Sequence, residues 1–279
     1  MKGKLVNILL VVIFVAGLSL LLYPTVSDYY NSVLQNNVIV EYSQELEKIE
    51  DGEYEKILSE AHAYNAALAQ LPSQLLATEA LKEQYYQTLS ASGQGVMAYV
   101  EIPSISVTLP IAHGTQEDTL RRFVGHVEWS SLPVGGESTH SVISGHRGLP
   151  SSELFTNIDH LELGDYFYIH VYGQTLEYQV DHIAVVEPND YSLLQIQKGQ
   201  DLTTLVTCTP YGINSHRLLV RGVRIDGETS GNAVAAVRNE ITPVDTRVVT
   251  LIALVILSVG VFLVILVSGK KGGKGREKE

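Results

Sequence analysis

Two long apolar runs frame the chain. Leu5 to Leu22 is interrupted only by Asn7, Gly17 and Ser19, and Val248 to Val267 carries no charge. A helix of about 20 mostly apolar residues spans the bilayer hydrocarbon, so both runs read as transmembrane helices. Lys2 and Lys4 would also suit a signal peptide. Against that, the apolar core exceeds the roughly 7–15 residues of such a signal, and no small-x-small cleavage site follows. Leu20-Leu21-Leu22-Tyr23-Pro24 is bulky instead, which favours an uncleaved anchor.

Between the runs the pattern changes twice. From residue 26 to about 90 it is helical: Tyr42, Leu46, Ile49, Ile57, Leu58, Ala61, Tyr64 and Leu68 approximate a 3.6-residue period within Glu41 to Gln70. Pro72 ends that helix. A second starts near Ser73 or Thr78 and runs to Leu89, closed by Gly93 and Gly95. This region reads as a stalk and packing layer, with an active-site cover as the rival. From Val96 the period drops to two. Strands are expected over Val96–Ile102, Ile105–Ile111, Val142–Ser144, Tyr166–Val171, Thr175–Val186, Leu202–Cys208 and Leu218–Ile225, each bounded by Gly, Pro, Asn or Asp. Tyr172-Gly173-Gln174 is a tight-turn signal. Short helical turns fit Gln116–Arg122 and Ser152–Ile158. Short strands at this spacing point to a closed or nearly closed β-barrel. The resulting division is 1–25, cytoplasmic start and anchor or signal; 26–92, helical; 93–226, barrel; 227–246, linker; 247–279, second membrane helix and tail.

Charge sets the orientation. Lys2 and Lys4 flank the first run, and Lys270, Lys271, Lys274, Arg276 and Lys278 follow the second. Basic flanks stay cytoplasmic, so residues 24–246 face outward. That segment holds 11 Lys and Arg against 29 Asp and Glu, a net −18 that the whole-chain −12 conceals. Such acidity argues against nucleic acid as a partner.

The chain has one cysteine, Cys208, which excludes an intrachain disulfide in an oxidising compartment. It closes the run Leu205-Val206-Thr207-Cys208, where a rigid strand can present a thiol to a cleft. A reactive thiol, an intermolecular crosslink and an inert filler all stay open. A nucleophile would want a histidine to move a proton and an arginine for the oxyanion. His146 ends the strand Val142-Ile143 and enters a Gly/Pro-rich loop, the same placement as Cys208. His216 is nearer in sequence. Arg217 is either ion-paired or aimed at an oxyanion. His113, His126 and His140 read as ordinary hydrogen-bonded histidines, and His62, His160, His170 and His182 as surface or structural. Thr207, beside the cysteine, is the candidate substrate contact. No Cys-x-x-Cys pair, His pair at i, i+4 or Gly-rich phosphate loop occurs, which points away from a metal site or a nucleotide. Glu117-Asp118 reads as a carboxylate pair at a helix start.

The segment Thr204-Leu205-Val206-Thr207-Cys208-Thr209-Pro210-Tyr211-Gly212-Ile213-Asn214-Ser215-His216-Arg217-Leu218-Leu219-Val220-Arg221-Gly222 resembles the active-site segment of sortases, most closely the pilin-polymerising class C. Ser144-Gly145-His146-Arg147-Gly148-Leu149-Pro150 resembles the segment of that family's catalytic histidine. Ser131 to Gly136 and Gly95 to Pro103 are similar to class C sequence as well. The resemblance implies an eight-stranded sortase barrel and cysteine transpeptidase activity without cofactor. It assigns Cys208 as nucleophile, His146 as general acid/base and Arg217 as oxyanion or substrate-orienting residue, and it demotes His216. The implied substrates are Leu-Pro-x-Thr-Gly-like sorting signals, with a pilin lysine as acceptor. Alternative acceptors are a cell-wall precursor amine, or water in a cysteine peptidase; an adhesion or scaffold domain with an inert Cys208 is the non-enzymatic reading. One departure stands out. Class C enzymes usually carry an Asp-Pro-aromatic plug over the cleft, and residues 62–95 contain none. The cleft is therefore expected to be open, or covered by another part of residues 70–95.

Overall fold

A computed structural model describes residues 2–90, 93, 95–225, 250, 252–256, 258–260 and 262. The chain forms two compact units, Met1–Ser27 with Asn239–Glu279, and Asp28–Arg238. In the first, Phe14 stacks on Phe262 with ring centroids 4.4 Å apart. Helix α1 runs Lys2–Leu46, and its stretch Leu9–Leu46 is the one helix among the described residues that is long and apolar enough to cross a membrane. Two were expected. The second run, within 247–279, lies largely outside the described residues, as do most of the linker 227–246 and the basic tail; its described residues 250, 252–256, 258–260 and 262 are helical.

The second unit is built on eight strands: β1 Val96–Ile102, β2 Val107–His113, β3 Val124–His126, β4 Thr139–Ser144, β5 Tyr166–Val171, β6 Gln174–Val186, β7 Asp201–Thr209 and β8 His216–Arg224. They close into a barrel in the order β1-β2-β3-β4-β7-β8-β6-β5. Pairs β2–β3 and β4–β7 are parallel, and the other six are antiparallel. Closure removes free sheet edges. The β5–β6 hairpin turns at Tyr172 and Gly173, with φ of 42° and 73°, the positive pair that a two-residue turn of this hand requires.

Sequence-expected strands and observed ones differ in several places. β4 begins three residues and β8 two residues earlier than expected, and β6 and β7 differ from expectation by a single residue at their ends. β2 begins two residues later than expected, because Pro103–Ile105 forms a 3-10 turn ended by Ser106 at φ 54°. β3 was not expected; it has three residues, too few to show alternation. The turn expected over Ser152–Ile158 is 3-10 only at Ile158–His160, while that over Gln116–Arg122 is the helix Glu117–Leu120, α4 in the order below.

The N-terminal helices belong to the barrel's own core. After α1 come α2, Asp51–Ala69, and α3, Glu79–Gln87. The single helix expected over Glu41–Gln70 is therefore broken near residues 47–50. Tyr42, Ala61, Tyr64, Leu68, Tyr85 and Leu89 are all at most 2% exposed and pack in one cluster with Met97, Val100, Ile111 and Phe155. Full burial of such side chains contributes roughly 1.5–3 kcal/mol each. Polar bonds fix their placement. Tyr42 OH donates to Met97 O at 2.9 Å and accepts from Tyr172 N. Asn65 exchanges two bonds with the Leu132 backbone. Tyr85 OH accepts from Gly114 N and lies 3.0 Å from both His126 Nδ1 and His126 O. These helices are the packing layer that their pattern suggested.

His126 and His140 are held neutral inside this wall. Burial pushes His126 down to about 3 and His140 down to about 4. The unfolded chain protonates both near pH 6.5, so the folded state binds fewer protons between those limits. Their contribution to stability is complete above about pH 6.5 and is lost as pH falls toward 4, with a slope of about 1.4 kcal/mol per pH unit for each histidine. Urea unfolding followed from pH 7.5 to 4.5 should show this decline, and His126→Gln should make it shallower by close to one proton's worth. An unchanged slope in the variant would show that His126 is not one of the titrating groups.

Candidate active site

Cys208 lies near the end of β7, flanked by two strands whose registers differ in direction. On one side β8 runs antiparallel and sets Arg217 directly opposite Cys208. Residues so opposed project to the same face with Cβ atoms about 4.5–5.5 Å apart. On the other side β4 runs parallel, with Ser144 opposite Val206. Gly145 N then donates to Val206 O at 3.0 Å, carrying the ladder past the strand's end. Two residues past the end of β4 the chain reaches His146, as β7 reaches Cys208 two residues past Val206. Adjacent strands are about 4.8 Å apart; Cys208 and Arg217 are paired across β7 and β8, and His146 lies just beyond β4, the strand on the other side of β7.

Alternation decides which face they share. Leu205, Ile143 and Val220 are fully buried in the main barrel core. Val206, Val142 and Leu219 point the other way and form a separate cluster with Leu194, against Val127, Trp129, Val186 and Leu193. Cys208 has the parity of Val206, and Arg217 that of Leu219. The thiol, which is partly exposed, therefore sits at the end of an apolar floor on the barrel's outer face.

The turn into His146 is fixed from three sides. A Cβ on Gly145 would come within 2.7 Å of the Phe155 ring, so only glycine lets the chain pass there. His146 O accepts from Phe155 N at 3.1 Å. Thr207 Oγ1 donates to Gly145 O at 2.8 Å. Thr207, expected as a substrate contact, is 2% exposed; it ties β7 to the turn that carries His146.

His146 Nε2 is buried and has no hydrogen-bond partner among the described residues. The facing charge is Glu117 Oε2 at 4.0 Å, while Glu117 Oε1 accepts from Arg121 Nε at 2.9 Å. Glu117 thus faces the imidazole from the start of α4, a placement its sequence context did not reveal. Arg217 Nη1 donates to His216 O at 3.1 Å and Asn214 O at 3.3 Å, fixing the guanidinium over its own turn. His216 pairs with Thr209 in register and lies 3.4 Å from Glu187 Oε1; alternation sends it to the face opposite Arg217. His113 is spent on Gly95 O and Thr88 O, His140 on Gln195 O and Thr204 Oγ1, and His170 on Glu101. Among the described residues no cluster of three or more His, Cys, Asp or Glu could hold a metal ion. A thiol held near a strand end, with an arginine paired to it across the next strand, is the kind of group that acyl transfer through a thioester requires.

Comparison with known proteins identifies the family. Residues 100–225 match the Sortase domain family. The solved structure of sortase C1 from Streptococcus agalactiae is 44% identical, with a TM-score of 0.67 over 69% of this chain and 100% of that one. Sortase C of Streptococcus pneumoniae, described for its catalysis and pilin substrate specificity, is 44% identical with a TM-score of 0.61, over 68% of this chain and 97% of that one. Sortase D of Bacillus subtilis is 31% identical over 129 residues, 45% of this chain and 62% of that protein; the chain thus spans about three fifths of the length of that curated relative. The chain belongs to the sortase family, a family of cysteine transpeptidases.

Proposed function

We propose that this enzyme cleaves a Leu-Pro-x-Thr-Gly-like sorting signal between Thr and Gly and joins the acyl group to a lysine amine of a pilin subunit. The observation that supports the proposal is Cys208 paired with Arg217 across β7 and β8, with the chain leaving β4 toward His146 on the other side of β7, at the end of a buried apolar cluster. The likeness to two sortase C structures favours a pilin acceptor.

In the mechanism, Cys208 Sγ as thiolate attacks the Thr carbonyl carbon, and the oxyanion develops toward Arg217. A preorganised donor there acts only on the charge that forms in the transition state. The C–N bond breaks as His146 protonates the departing Gly amine, leaving a thioester on Cys208. A lysine amine attacks the thioester carbonyl, His146 accepts its proton, and the thiolate leaves. Thr207 serves the substrate side by pinning Gly145 beside the thiol. The reaction takes place on the outer face of a Gram-positive cell membrane, with the apolar N-terminal helix and the run 248–267 as anchors. The acidic surface of residues 24–246 suits a solvated extracellular domain and offers nothing to nucleic acid.

We also propose that the cleft works without an Asp-Pro-aromatic plug. The segment between α2 and α3 is instead clamped through Gln74, which is buried and bonds Leu194 O at 2.9 Å and Ile196 N at 3.0 Å. Leu75 and Leu76 beside it are exposed.

Mass spectrometry of the protein mixed with signal peptides should reveal a thioester adduct on Cys208, absent in Cys208→Ala. Added pilin subunit should then give covalent ladders. Adducts without ladders, resolved only by a cell-wall precursor amine, would indicate wall anchoring, and resolution by water alone would indicate a peptidase. Arg217→Lys should lower kcat about 100-fold or more, because a point charge does not replace a planar fork of donors; near-normal turnover would remove Arg217 from the mechanism. Gln74→Ala frees the segment between α2 and α3 and should change signal-peptide cleavage by less than twofold. A large rise would reveal an inhibitory cover.

A further inference from the structure

A second arginine lies next to the imidazole, and the mechanism above gives it no task. Arg147 follows His146 directly, and its side chain is only 10% exposed. Its polar arms reach three separate segments. Nη1 donates to Thr209 Oγ1 at 3.3 Å, one residue past the thiol. Nη2 pairs with Asp159, in the short 3-10 turn Ile158–His160 after the His146 loop. The guanidinium carbon lies 5.9 Å from the centre of the Tyr211 ring, in the β7–β8 turn, within the range of a cation–π contact. Arg147 Nε is buried and has no hydrogen-bond partner among the described residues.

Gly148 adds an independent observation. Its φ is +76°, and a Cβ there would come within 2.9 Å of the Tyr211 ring. The ring therefore lies against the bare backbone of the His146 loop, although Tyr211 is 61% exposed overall. The other side of the same loop is fixed by Gly148 N donating to Thr156 Oγ1 and Phe155 N to His146 O. An ion pair with one partner, Asp159, 34% exposed contributes little to stability. An arginine held this way, with one nitrogen unsatisfied, is better explained by what it holds in place.

We propose that Arg147 is a positioning residue. It latches the β7–β8 turn, through Thr209 and Tyr211, to the loop that carries His146, and so sets the imidazole at its working height beside the Cys208 thiol. The latch rests on the transpeptidase reading for its effect on turnover, but its effect on the thiol requires no substrate. It also explains how an exposed aromatic in a surface turn bears on a residue more than 60 positions away.

The test uses the full-length protein in detergent, with Arg147→Met, Tyr211→Ala and the double variant. Two rates are read: thioester formation with a peptide containing Leu-Pro-Glu-Thr-Gly, and alkylation of Cys208 by iodoacetamide. We expect each single variant to slow thioester formation at least tenfold at saturating peptide, with KM changed less than threefold and the thermal midpoint within a few degrees of the parent. The double variant should be no slower than about twice the slower single one, because both remove the same latch. Arg147→Lys should recover only part of the rate, keeping the Asp159 pair but not the planar contact with the ring. Alkylation should shift at least threefold in both singles. Rates within twofold of the parent, a loss that tracks unfolding, or a double variant whose losses multiply would each overturn the latch. Should Arg147→Met not fold, Asp159→Asn, which loosens the same guanidinium, is read by the same criteria. A parent that forms no thioester while the alkylation shifts persist would refute the transpeptidase reading and leave the latch standing.

Discussion

The register of β7 between its two neighbours is the constraint on which the site depends. β7 pairs parallel with β4 and antiparallel with β8, and both of its faces are buried along most of its length. Leu205 fills the barrel, and Val206 fills the outer cluster. A slip by one residue would exchange these sets and turn Cys208 inward. Burial on both faces therefore locks the register more firmly than an amphipathic strand could, and the Cys208 thiol inherits that rigidity. Its placement comes as a consequence of core packing and costs little extra ordering of its own.

The same logic explains the N-terminal helices. A barrel wall that buries Met97, Ile111 and Phe155 on its helix-facing side needs an apolar cover, and Tyr42, Tyr64, Leu68 and Tyr85 provide it. The tyrosine hydroxyls then satisfy backbone groups that the cover would otherwise strand, as Tyr85 does for Gly114 N. Unsatisfied buried donors cost about 1–3 kcal/mol each. α3 binds Gly114 through Tyr85 just ahead of α4, from whose start Glu117 faces His146.

Much of the fold was legible in the residues. Strands β1 and β5 begin and end where the alternation does, and the Tyr172-Gly173 turn is where its residue types demand. The misses have local causes. The three residues of β3, Val124-Gly125-His126, carry no period to detect, and the strand exists because its neighbours pair with it. The break between α1 and α2 falls in a run of Glu and Lys that is helix-favouring by propensity, and Tyr42 before it and Tyr64 after it are both buried in the core.

The site divides in the same way. The sequence alone determined the placement of Cys208 at a strand end and the absence of any other cysteine to bind it, and through resemblance it named Cys208, His146 and Arg217 as candidates. Spacing could not choose between His146 and His216. That choice belongs to the tertiary structure: β4 meets β7 in parallel across some 60 residues of intervening chain, and parallel pairing leaves no local signature in the sequence. Alternation then turns His216 away from the thiol while bringing Arg217 toward it. Contacts such as Arg147 with Tyr211, or Glu117 with His146, join segments that only the closing of the barrel brings together.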